Sequence, residues 1–98
     1  MVKDIYLKKI RKLILNSLKG QEFQLFLFGS QVEGRDVQAS DIDIAILPIT
    51  VFPRGLLSQI REKLEESSIP YPVDLVDLSR SNPEFVRRVR AEGIAWND

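Results

Sequence analysis

The chain has 98 residues, enough for one small domain with a single core and too few for a separate substrate-binding module. Fourteen basic and fourteen acidic residues cancel to a formal net charge of +0, so bulk charge gives no pull toward a membrane surface, and direct nucleic-acid binding is not expected. Cysteine and histidine are both absent, which excludes disulfides, thiolate metal sites and the Ser-His-Asp and Cys-His nucleophile systems; a metal site here must use oxygen ligands, which favour Mg, Mn or Ca.

From about Lys3 to Leu18 the residues Ile5, Tyr6, Ile10, Leu13, Ile14 and Leu18 recur at helical spacing between lysines and Arg11, predicting an amphipathic helix closed near Gly20. Charge runs through this whole segment, so it lacks the apolar stretch of a signal peptide, and no segment has the length of a membrane span. A cytoplasmic protein is expected. "FQLFLF", Phe23 to Phe28, is short and apolar and stops at Gly29, as a buried strand does. Ser30 to Val37 suits a short helix or turn. "DIDIAIL", Asp41 to Leu47, alternates strictly and ends at Pro48, which predicts a second strand.

Pro53 to Ser67 reads as a helix with Leu56, Leu57, Ile60 and Leu64 on one face. "IPYP" is an extended link into a third strand, "VDLVDL", Val73 to Leu78. The last helix has Ser81 or Asn82 as its cap, Pro83 at its start and Gly93 at its end. A tail from Ile94 to Asp98 follows, with a short edge strand around Ala95-Trp96. These elements predict an α+β fold occupying residues 1–98 as one domain. Its small mixed sheet has three strands, or four if the tail pairs, packed with about four helices in two layers.

Asp41 and Asp43 stand out because they interrupt an apolar strand. Strand residues two apart share a face, so the two carboxylates lie together with Ile42, Ile44 and Ile46 opposite, their Cα atoms roughly 6.6 Å apart. Two carboxylates about 5 Å apart repel by about 3 kcal/mol at an effective dielectric of about 20, and a divalent cation turns that repulsion into attraction. If the "VDLVDL" strand pairs beside them, Asp74 joins the same face and completes an oxygen-rich site suited to phosphoryl transfer. Asp77 has the opposite parity and suits a structural or solvated role. A D-x-D pair alone also fits a solvated face, and Asp41 also fits a turn cap. The first strand's end weighs toward chemistry: Gly29 permits close backbone approach to a ligand, and the Ser30 hydroxyl can donate to a phosphate oxygen. Among the remaining features, Arg87, Arg88 and Arg90 read as a solvated helix face, and Trp96 as a core or interface anchor.

Gly29-Ser30, the ten residues Gln31 to Ser40, and Asp41-Ile42-Asp43 together match the G-S-x10-D-x-D pattern of the nucleotidyltransferase superfamily related to DNA polymerase beta. The longer stretch "LFGSQVEGRDVQASDIDIAIL", including Gly34 and Ser40, resembles the minimal nucleotidyltransferases of prokaryotic two-gene modules. "PVDLVDL" is similar to that family's third-carboxylate strand, and "FVRRVRAEGIAW" to its closing helix and tail.

The resemblance implies a nucleotidyltransferase fold and transfer of a nucleotidyl group from a nucleoside triphosphate, ATP foremost, to an acceptor hydroxyl with two Mg²⁺ ions. Gly29, Ser30 and Ser40 take nucleotide-binding positions, Asp41 and Asp43 those of metal ligands. Asp74 takes that of the third carboxylate, both metal ligand and activator of the hydroxyl. It further implies a HEPN-domain toxin as partner, modified on a tyrosine, with this chain as antitoxin; a homo-oligomer stays open. Two other readings fit the same residues. The chain would neutralise its partner by direct binding with little catalysis, or it would modify a small molecule or RNA held by another subunit.

Overall fold

The computed structural model describes residues 2–28 and 42–96. Helix α1 spans Val2–Ser17. Ile10 and Ile14 repeat at i and i+4, and all of their side-chain surface is buried, as is that of Leu18 just beyond the helix; Lys8, Lys9 and Lys12 stay exposed. Ile5 departs from the expected stripe and is 66% exposed. The chain leaves the helix through Gly20, whose φ of 86° lies in the left-handed region that glycine adopts without a Cβ penalty.

Strand β1, Phe23–Phe28, runs antiparallel to β2, Ile42–Pro48, and β2 runs parallel to β3, Val73–Asp77. Strand β4, Ile94–Ala95, adds antiparallel to the outer edge of β1, giving a mixed sheet in the order β3-β2-β1-β4. The tail thus supplies the fourth strand. The Trp96 amide continues this pairing by donating to the Leu25 carbonyl at 2.8 Å, and the Trp96 side chain packs against the core beneath the sheet.

Helix α2 covers Leu56–Glu66 rather than starting at Pro53. Gly55 sits at its N-cap with a φ of 82°, so residues 53–55 form a turn, closed by the Leu56 amide on the Pro53 carbonyl at 3.2 Å. Strand β3 stops at Asp77, one residue before the predicted end. The Asp77 carboxylate accepts from the Ser79 amide at 2.9 Å and the Ser79 hydroxyl at 2.6 Å, turning Leu78–Arg80 into a single 3₁₀ turn. Helix α3, Pro83–Glu92, is capped by Asn82, whose Oδ1 accepts from the Phe85 amide at 2.8 Å, and it ends at Gly93.

The sheet is covered on both faces, not on the one expected of two layers. Ile42, Ile44 and Ile46 of β2, with Leu25, Leu27 and Leu75, pack against α1 and α2 through Ile10, Ile14, Ile60 and Leu64. Phe26 and Ala45 on the opposite face pack with Leu78 and with Phe85, Val86 and Val89 of α3. The apolar stripe of α3 is short, so it covers only part of that face. The α+β architecture stands, with three α-helices among the described residues against about four expected; the short helix or turn predicted over Ser30 to Val37 lies outside the described residues. None of the described helices is long and apolar enough to cross a membrane.

Candidate active site

Alternation along β2 sends Ile42, Ile44 and Ile46 into the helix-covered core, where all three are 0% exposed, and sends Asp43 to the other face with Ala45. On one side Asp43 is the register partner of Asp74 in β3; on the other it is the partner of Phe28 in β1. Neighbouring strands lie about 4.8 Å apart, so two carboxylates and a phenyl ring stand in a row across one face of the sheet. Asp43 is half-buried and Asp74 exposed, which leaves the acidic pair open to a ligand from the Asp74 side.

The parallel register is what unites the two acids. Ile42 pairs with Val73 and Ile44 with Leu75, so both strands bury their flanking aliphatic residues on the same side and expose the acid between them. A slip of one residue would put Asp74 on the core face. Asp77 pairs with Ile46, on the opposite face from the acidic pair, and serves the 3₁₀ turn; its carboxylate also lies 3.9 Å from Arg80. Of the residues singled out in the sequence, Asp43 and Asp74 are brought together. Gly29, Ser30, Ser40 and Asp41 lie outside the described residues.

The donor set suits a hard divalent cation. Both groups are carboxylates with oxygen donors, and they share a face at adjacent-strand spacing. Among the described residues no three acidic, histidine or cysteine side chains cluster.

Phe28 and Phe85 were not singled out by the sequence reading. Their rings meet edge to face, with centroids 5.7 Å apart and planes at 78°. The only sequence signal for Phe28 is its place directly before Gly29-Ser30. Nothing in the sequence specified which face of the sheet α3 would take. The arginines of α3 behave as a solvated face: Arg88 pairs with Glu92 at 3.2 Å, both side chains about 70% exposed.

A family model described as "Polymerase beta, Nucleotidyltransferase" matches residues 8–95. The chain is 32% identical over 84 residues to "Probable protein adenylyltransferase MntA" of Haemophilus influenzae, a match covering 83% of this chain and 70% of that protein. Among solved structures, one described as a toxin-antitoxin with AMP-PNP aligns at a TM-score of 0.72 and 30% identity, covering 91% of this chain and 70% of the other. A second, a tri-AMPylated Shewanella oneidensis HEPN toxin in complex with MNT antitoxin, aligns at a TM-score of 0.64 and 28% identity, covering 91% of this chain and 66% of the other. A match running from the first helix to the last strand makes this chain a member of the polymerase beta nucleotidyltransferase family.

Proposed function

We propose that the chain is a Mg²⁺-dependent adenylyltransferase that moves AMP from ATP to a hydroxyl of a partner protein. The acceptor is a tyrosine of a HEPN-domain toxin, and the chain is that toxin's antitoxin, acting in the cytoplasm as a single catalytic domain. The observation that carries this reading is the pairing of Asp43 with Asp74 on adjacent parallel strands. The likeness to proteins described as an adenylyltransferase and as the partner of an AMPylated HEPN toxin supports the choice of nucleotide and acceptor.

Asp41 and Asp43, two residues apart in the sequence, would hold the metal together with Asp74. A bound Mg²⁺ would supply neutralisation of the triphosphate charge. Gly29, Ser30 and Ser40 would hold the triphosphate. Asp74, exposed and on the open side of the pair, accepts the proton of the incoming hydroxyl; no histidine exists in the chain to do so. The acceptor oxygen then forms a bond to the α-phosphorus as the bond from that phosphorus to the β-bridging oxygen breaks, and pyrophosphate leaves with the electron pair.

The test uses purified chain, the HEPN protein and Mg·ATP labelled at the α-phosphate. Wild type should label the partner and Asp43→Asn should not, while the variant keeps the wild-type circular dichroism spectrum, since Asn preserves size and removes the ligating charge. Label transfer by the folded Asp43→Asn variant would remove Asp43 from the catalytic machinery.

A further inference from the structure

The acidic pair has an apolar neighbour tied to the last helix. Phe28 is the final residue of β1, the register partner of Asp43, and precedes Gly29-Ser30 directly in the sequence. Phe85, whose ring meets that of Phe28, lies in the first turn of α3, where its amide is held by the Asn82 cap. A continuous set of contacts therefore runs from the start of α3, through two rings, to the strand end beside Asp43. Phe28 and Asp43 form the last pair of the β1–β2 ladder among the described residues.

We infer that Phe85 is a positioning residue for nucleotide binding, acting through Phe28. The inference rests on the proposed function. By holding the Phe28 ring, Phe85 fixes the end of β1 against Asp43. Neither ring needs to touch the nucleotide for this.

The test is Mg·ATP affinity by titration calorimetry alongside thermal stability, for wild type, Phe85→Ala, Phe85→Tyr and Val89→Ala. Val89 belongs to the same cluster one turn further along α3 and is 2% exposed, so its truncation reports what a purely structural loss does. Phe85→Ala should weaken Mg·ATP binding about three- to tenfold, the scale of a lost aromatic pair, and Phe85→Tyr should restore it. Val89→Ala should lower Tm at least as much and leave affinity unchanged. Should Phe85→Ala fail to fold, Phe85→Leu keeps the apolar volume, removes the ring edge and should shift affinity in the same direction. Wild-type affinity in Phe85→Ala or Phe85→Leu overturns the inference, as does a loss of affinity in Val89→Ala proportionate to its loss of Tm. A wild-type chain that takes up no Mg·ATP overturns the proposed function, and the inference falls with it.

Discussion

Asp43 and Asp74 show how much of a candidate site strand parity alone can place. "DIDIAIL" declares its two faces because every second residue is isoleucine, and "VDL" does the same around Asp74. The pairing of the strands was legible only conditionally. It follows from burying Ile42 and Ile44 beside Val73 and Leu75, a match the sequence permits without specifying the parallel neighbour. The two acids should respond differently to neutralisation. Asp74 is exposed, so Asp74→Asn should change stability by no more than about 0.5 kcal/mol in urea denaturation. If Asp74 is the proton acceptor, the same variant should lower the rate of AMP transfer by about 10²- to 10⁴-fold in single-turnover assays, the range for loss of a positioned base. An unchanged rate would assign that role to another group.

At the scale of elements, local chemistry decided the boundaries that the periodic pattern left open. Pro53 suggested a helix start, but Gly55 in the left-handed region interrupts the helical path and delays α2 to Leu56. The apolar pattern of "VDLVDL" carried the strand to Leu78, whereas Asp77 ends it by capping the turn that follows. The free edge of β3 is partly covered from α2, where Arg61 donates to the Leu75 carbonyl at 2.9 Å. Both ends of α3 offer tests. Asn82→Ala removes the cap and should cost about 1 kcal/mol, seen as a Tm lower by about 4–8 °C. Gly93 has ordinary φ, but a Cβ there would stand 2.5 Å from the Val89 carbonyl oxygen and 3.4 Å from the Leu27 carbonyl oxygen. Gly93→Ala should therefore push α3 and β4 off β1 and destabilise by about 1–3 kcal/mol. A Gly93→Ala protein as stable as wild type would show that the α3–β4 junction has room to yield.

Across the whole molecule the sheet serves two cores. The α1–α2 side is the larger and was readable from the helix stripes and from the isoleucines of β2. The α3 side was harder to read, because β2 gives that cluster only the small Ala45 and the half-buried Leu47, with Asp43 on the same face. The larger core should dominate stability: Ile44→Ala, at a fully buried position, should cost about 2–5 kcal/mol in denaturant unfolding. Against a total of about 5–15 kcal/mol for a domain this size, that loss would leave the fold marginal. Trp96 joins the ends of the chain to this core, since its carbonyl also accepts from Arg11 of α1 at 2.6 Å. The smaller core carries the acidic pair on its margin, which is why a change at Phe85 is expected to reach the site while changes in α1 should act through stability alone. The central claim is transfer of AMP to a partner, and intact mass spectrometry of the HEPN protein co-expressed with this chain tests it most directly. The account predicts partner molecules heavier by whole AMP units with wild type, and unmodified partner with Asp43→Asn. An unmodified partner in tight complex with the wild-type chain would contradict it, and would make the chain a binding antitoxin.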